Sequence, residues 1–175
     1  MIIAMAGLPG SGKTSIAQAL AELLPGLVIS KDEIRTALFR PEEIDYTRAQ
    51  DDVCFAEMLR RTEAFLTQSP GQCVVLDGRT FSRSADMQEV MDLADRLREP
   101  LYVIECFCSD KEACRRIEAD MKERRHPAAN RDYRLYLEVK ARREPLPLPA
   151  LRLDTSLNMA ACIALCMNYL GRPQL

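Results

Sequence analysis

The chain has no tryptophan and one histidine, His126, and its aromatic rings are limited to five tyrosines and five phenylalanines in 175 residues. A single histidine excludes a multi-histidine metal site, and the scarcity of rings leaves few stacking platforms for unpaired bases. Charge of neither sign is in excess. The 24 lysines and arginines oppose 26 aspartates and glutamates, for a net charge of −2 and a pI near 5.6. That balance excludes the global basic field that sequence-independent polynucleotide binding usually needs. Long apolar runs are missing as well, so no membrane span is expected. The apolar start, residues 1–6, meets Gly7 with neither a basic leader nor a small-residue cleavage site before it, and a cytoplasmic location is expected. A disulfide framework is absent too. Seven cysteines, an odd number, are scattered at 54, 73, 106, 108, 114, 162 and 166, and most fall in apolar-periodic segments where they read as reduced core thiols. A zinc site drawn from Cys106, Cys108, Cys114 and His126 fails on spacing, because the first pair flanks one residue on an expected strand. With 47% hydrophobic and 29% charged residues and no repeat, the composition is that of one globular domain over residues 1–175.

What is present is an alternation of two periodicities. Short apolar runs at 2–6, 27–30, 73–76, 101–106 and 151–153 predict five strands, and segments of helical spacing follow them. The first of these carries Ile16, Ala17, Leu20, Leu23 and Leu24 on one face. Alternation of this kind predicts an α/β fold, a five-stranded parallel sheet with helices on both faces. Two segments exceed a simple crossover. Residues 31–72 hold a short helix from Asp32 to Phe39, a break at Pro41 and a longer helix from Thr47 to Thr67, and they can form a pocket. Residues 110–143 are arginine-rich and can form a lid, before Pro145, Pro147 and Pro149 impose an extended approach to the last strand.

Between the first strand and helix, Gly7, Leu8, Pro9, Gly10, Ser11, Gly12, Lys13 and Thr14 match the G-x-x-x-x-G-K-[ST] phosphate loop, or Walker A pattern, at every fixed position. The glycines let backbone N–H groups converge on an anion, and the positive end of the following helix adds favourable potential. Lys13 would reach the β- and γ-phosphates, the Thr14 hydroxyl would ligate Mg²⁺, and Ser15 would bind the α-phosphate. Gly10, Ser11 and Gly12 would supply N–H donors. A chance glycine-rich turn is the competing account, and the placement between strand and amphipathic helix argues against it.

Two acidic positions follow strands. Asp77 ends the run Val74–Leu76, where a carboxylate at the sheet's edge orients Mg²⁺ through water; the competing account is a turn, since Asp77-Gly78 is also a good turn dipeptide. After the second strand come Ser30, Lys31, Asp32, Glu33, Ile34 and Arg35. Either Ser30 or Asp32 caps a helix whose dipole the acids complement, or Asp32 accepts the proton of an attacking hydroxyl while Arg35 holds an acceptor or phosphoryl group. The residues alone leave these two accounts level.

Taken together, GLPGSGKT at 7–14, SKDEIR at 30–35, VVLDGRTFSR at 74–83 and the arginine-rich lid resemble the small P-loop kinases that include polynucleotide 5′-hydroxyl kinase, chloramphenicol phosphotransferase and zeta-toxin-like kinases, often described as AAA-family ATPases. The resemblance spans most of the chain and implies a P-loop NTPase fold with ATP and Mg²⁺. It also implies Asp32 as general base, and Arg35 as a residue engaging the acceptor, as in the polynucleotide kinase branch. A lid arginine that stabilises transferred charge is implied as well. Arg116, Arg124, Arg125 and Arg131 are the candidates, Arg124 and Arg125 ranked for phosphates and Arg116 for stacking near the base; a solvated helix face competes for at least two of them. The Leu153–Ser156 loop, with Thr155, resembles the segment that packs near adenine. The lid sequence Glu123–Arg131 does not settle one branch.

Glu42, Glu43, Asp45, Asp51 and Asp52 concentrate negative charge in the pocket segment. They read as a solvated face, or as a field that favours a neutral or cationic small molecule over a nucleic acid end. The expected activity is transfer of the γ-phosphate of ATP to a hydroxyl of a small molecule: a metabolite, nucleoside or antibiotic. A polynucleotide 5′-hydroxyl kinase and a regulatory nucleotide-binding NTPase are the alternatives.

Overall fold

Ile2–Ala6 (β1) is buried along its whole length, as an apolar run without alternation demands of a strand covered on both faces. The computed structural model describes residues 1–122 and 133–172. Four further strands, Gly26–Ser30 (β2), Cys73–Asp77 (β3), Leu101–Phe107 (β4) and Leu151–Asp154 (β5), complete a parallel sheet in the order β2-β3-β1-β4-β5. All five lie where the apolar runs predicted them. Strands β3, β4 and β5 each extend one residue further, so that Asp77, Phe107 and Asp154 end their ladders.

Successive β1 side chains enter opposite cores. Ile3 and Met5 pack with Lys13–Leu23 (α1) and Met159–Tyr169 (α7) through Ile16, Leu20, Cys162 and Cys166. Ile2, Ala4 and Ala6 pack with Lys31–Leu38 (α2), Arg48–Gln68 (α3) and Ser84–Leu97 (α4) through Ile34, Phe55, Met58, Met87 and Val90. A 3₁₀ turn at Pro41–Glu43 separates α2 from α3, at the break that Pro41 predicted. The arginine-rich segment contributes Asp110–Lys122 (α5) and Tyr133–Ala141 (α6), whose Ala113, Ile117 and Tyr136 form a small third cluster against Leu8.

Local chemistry explains the helix starts. Side-chain oxygens of Ser30, Thr47 and Asn158 accept from Glu33, Gln50 and Ala161 N–H groups and cap α2, α3 and α7. Helix α1 begins instead at Gly12, with φ 82° and no side-chain cap, so its first N–H groups point to the loop that precedes it. The parallel order puts the carboxyl ends of all five strands on one edge. The connections that follow the neighbouring strands β1 and β3 run in opposite directions across the sheet, to β2 and to β4, and such a switch point is where these folds open a crevice.

Candidate active site

Gly7 leaves β1 at φ +134°, and a Cβ on it would stand 2.3 Å from the Cys106 carbonyl oxygen. Only glycine lets the chain pass so close to β4. Gly10, at φ +74°, is as tightly placed against α5, with a Cβ reaching 2.8 Å from the Ala113 carbonyl. Within this curl the Lys13 ammonium donates to the Gly7 and Leu8 carbonyls at 2.9 and 2.8 Å and is almost wholly buried. Cys106, proposed on paper as a zinc ligand, lies in the core under this loop, where burial pushes its thiol up to about 12. Among the described residues no cluster of histidine, cysteine or acidic side chains gathers for a metal; His126 lies outside them.

Two cavities flank the loop, and Lys13 and Thr14 line both. The first, about 550 Å³, is bordered by Gly10, Gly12, Ser15, Gln18, Arg116, Thr155, Leu157 and Met159. Here two expectations change. Arg116 does not stand open for stacking: its guanidinium donates to the Thr155 carbonyl at 2.8 Å and the Thr155 hydroxyl at 3.0 Å, and Glu112 holds its Nε at 2.7 Å. Thr155 in turn donates to the Ser11 carbonyl at 2.8 Å. Both residues therefore brace the phosphate loop from the side of the cavity. Leu157 and Met159 are the exposed apolar surfaces available there, and the sequence reading missed them. Their only signal was apolar character beside the Asn158 cap.

Asp77 ends β3, the parallel neighbour of the β1 strand from which the loop leaves. It is 2% exposed, and its Oδ1 has no hydrogen-bond partner among the described residues. An orphaned buried carboxylate oxygen is costly unless a cation or an ordered water completes it. The Asp77 carboxylate and the Thr14 hydroxyl are both hard oxygen donors, a chemistry that fits Mg²⁺.

The second cavity, about 410 Å³, lies between α2, α3, the Gly78–Arg83 loop and the end of α6. Asp32 lines it and accepts from Arg35 Nη1 at 2.9 Å. Arg35 is 2% exposed, gives Nη1 to Asp32 and Nη2 to Asp51, leaves Nε unpaired, and covers the Tyr46 ring at 4.9 Å. So held, the Arg35 guanidinium is buried and fixed between two carboxylates at the cavity wall, where the resemblance implied a residue engaging the acceptor. Tyr46 adopts φ 53°, a conformation that non-glycine residues rarely occupy away from constrained sites.

The acidic field expected of this segment is not what faces the cavity. Glu42 and Glu43 are exposed on the 3₁₀ turn, and the Asp45 carboxylate accepts from the Thr47 N–H. Asp51 accepts from Lys31 as well as Arg35. Asp52 accepts from Arg79 at 3.1 Å and Arg83 at 3.0 Å. Partial burial opposes ionisation of Asp52, but those two hydrogen bonds outweigh it and hold its carboxyl below the usual range. The sequence could not show these cations because their partners are remote: Arg79 also grips the buried Asp86 through Nε and Nη2 at 3.1 and 2.9 Å and stacks 4.1 Å over Phe55. Lys31, Arg79, Arg83, Asp86 and Arg142 are thus site residues that sequence reasoning missed. Arg124, Arg125 and Arg131 lie outside the described residues.

A family model described as an AAA domain matches residues 2–146. No curated protein matches the chain. Among solved structures, a candidate kinase from Chloroflexus aurantiacus is similar at a TM-score of 0.75 and 24% identity, covering 99% of this chain and 98% of that one. A gluconokinase from Sinorhizobium meliloti follows at 0.69 and 18%, with coverage of 97% and 91%. The Mycobacterium tuberculosis APS kinase, solved with AMPPNP and APS, stands at 0.68 and 16%, with coverage of 97% and 96%. At these identities the likeness establishes the fold, that of the P-loop NTPases.

Proposed function

The chain belongs to the AAA domain family, and on that premise we propose that it is an ATP-dependent phosphotransferase that moves the γ-phosphoryl group onto a hydroxyl of a small molecule. The observation that carries this reading is the meeting of two cavities at Lys13 and Thr14, with Asp32 in the second. A nucleotide in the 550 Å³ cavity would direct its terminal phosphate to that junction, and a hydroxyl in the 410 Å³ cavity would approach it in line. The new oxygen–phosphorus bond forms as the bond to the ADP oxygen breaks, and Asp32 takes the hydroxyl proton. Lys13 and the uncapped N–H groups of α1 balance the charge of the phosphates. Thr14 and Asp77 are the residues that would hold Mg²⁺, which supplies further neutralisation of the β- and γ-oxygens when bound.

Residues 31–72 act in this reading as the acceptor-binding segment and residues 110–143 as the lid. Two fold relatives that are by name kinases of gluconate and APS support a small-molecule acceptor. The seven free cysteines support work in a reducing compartment, the cytoplasm. A screen of hydroxylated metabolites, nucleosides and antibiotics for acceptor-dependent ADP release tests the proposal. One class should stimulate release, Lys13→Ala should abolish it, and Asp32→Asn should reduce it by roughly 10²- to 10⁴-fold. Hydrolysis that no acceptor stimulates and that Asp32→Asn leaves unchanged would show a regulatory NTPase instead. Efficient labelling of a 5′-hydroxyl oligonucleotide would move the acceptor to nucleic acid.

A further inference from the structure

The charge lining the 410 Å³ cavity is unbalanced in one direction. Apart from Lys13, six cations among the described residues border it: Lys31, Arg35, Arg48, Arg79, Arg83 and Arg142. Asp32, Asp51, Asp52 and Asp86 oppose them, while the fifth lining carboxylate, Glu138, is engaged by Arg134 outside the cavity. Two positive charges are left over before Lys13 is counted. The surplus is also accessible. Arg48 is 76% exposed and only 3.7 Å from its nearest acidic oxygen, on Asp52. Arg142 is exposed, and its guanidinium has no ion pair or hydrogen bond among the described residues. The neighbouring backbone is nevertheless fixed, since Arg143 pairs with Glu105 and Glu144 bonds Ser84. Arg142 therefore presents an unmatched fork from a held position.

We propose that the acceptor is anionic: a hydroxylated small molecule carrying a carboxylate or phosphate group, which Arg142 after α6 and Arg48 of α3 bind while Arg83 completes the positive wall. The proposal rests on the phosphotransferase reading and specifies the acceptor it takes. Guanidinium forks pair with planar or tetrahedral oxyanions through two parallel bonds, which a polyol or an amine cannot reproduce. A cation surplus also offsets the repulsion that an anionic acceptor meets on approaching a γ-phosphate. An amino-sugar, by contrast, would meet like charge.

Binding to protein saturated with Mg²⁺ and AMPPNP tests this without turnover, because the phosphate loop is then filled. Calorimetric titration would compare glucose, glucosamine, gluconate and glucose 6-phosphate, with inorganic phosphate as the bare oxyanion. At least one anion should bind ten-fold or more tightly than glucose and glucosamine. Arg142→Gln should weaken it about ten-fold, Arg142→Lys should restore part of the loss, and AMPPNP affinity should not move. Preference for gluconate assigns a carboxylate, and preference for the phosphate compounds assigns a phosphate. Arg48→Gln, at a largely solvated position, serves as a second variant that the fold tolerates. The proposal is overturned if no anion binds, if glucose or glucosamine binds as tightly as the anions, or if neither substitution changes anion affinity. The kinase reading fails separately, when no acceptor raises ADP release.

Discussion

Asp77 illustrates how much a single atom can say about a site. Its Oδ1 is buried without a partner among the described residues, next to the strand that leads into a loop whose lysine is satisfied by carbonyls. A group kept in that condition is destabilising in the absence of a cation, so Asp77→Asn should leave folding stability equal or higher in denaturant melts without Mg²⁺. The same substitution should raise the Mg²⁺ concentration needed for nucleotide turnover. Lower stability together with an unchanged Mg²⁺ requirement would make Asp77 a structural turn residue, the account its Gly78 neighbour also allowed. At this scale the phosphate loop was fully legible, because each of its positions is specified within eight consecutive residues and the backbone they impose. Arg35 was not. Its setting depends on Asp51, sixteen residues away on another helix, which helps to fix the guanidinium at the cavity wall.

Among the elements, α4 shows a start that no local pattern predicts. Its N-cap position is Arg83, which supplies no capping side chain, and the N–H and hydroxyl of Ser84 instead reach Glu144, each at 2.7 Å. That bond ties the chain after α6 to the loop that carries Arg79 and Arg83. Hydrogen bonding from the Ser84 backbone, then from its side chain, holds the Glu144 carboxyl below its ordinary value. A folded pKa below the unfolded one means that this tie is fully present above the unfolded value, about 4.3, and is lost as pH falls through the folded one. Hydrogen exchange in residues 133–142, corrected for intrinsic rates, should therefore quicken only as the pH falls below about 4.3. In Glu144→Gln it should be quick already at neutral pH. If the variant exchanges like the parent at both pH values, the tie does not hold this segment. A second link, from Asp110 to Tyr136 and Lys140, joins α5 to α6 by the same kind of chemistry.

For the molecule as a whole, ligand and fold are linked through the junction at Lys13. A nucleotide that binds only the folded state at about one hundred times its dissociation constant adds roughly 2.7 kcal/mol. For a domain of this size that raises the melting temperature by roughly 5–10 °C. Mg²⁺ with AMPPNP should give such a shift in the parent and none in Lys13→Ala, whose own unfolding should remain cooperative. An equal shift in both would place the nucleotide elsewhere.

The sequence by itself determined the strands, their parallel sense, the two-faced core and the phosphate loop. Those features follow from periodicity over a few residues and from backbone conformations that only glycine reaches. The tertiary structure alone decided the strand order β2-β3-β1-β4-β5 and the sign of the charge at the 410 Å³ cavity. A run of acids at 42–52 looks negative on paper because its counter-charges come from α2 and from the loop between β3 and α4. Once folded, Asp51 and Asp52 are spent on arginines and a lysine, and the cations left over face the cavity. Net charge is a property of composition, whereas the field inside a cavity belongs to whichever side chains the fold brings to its wall.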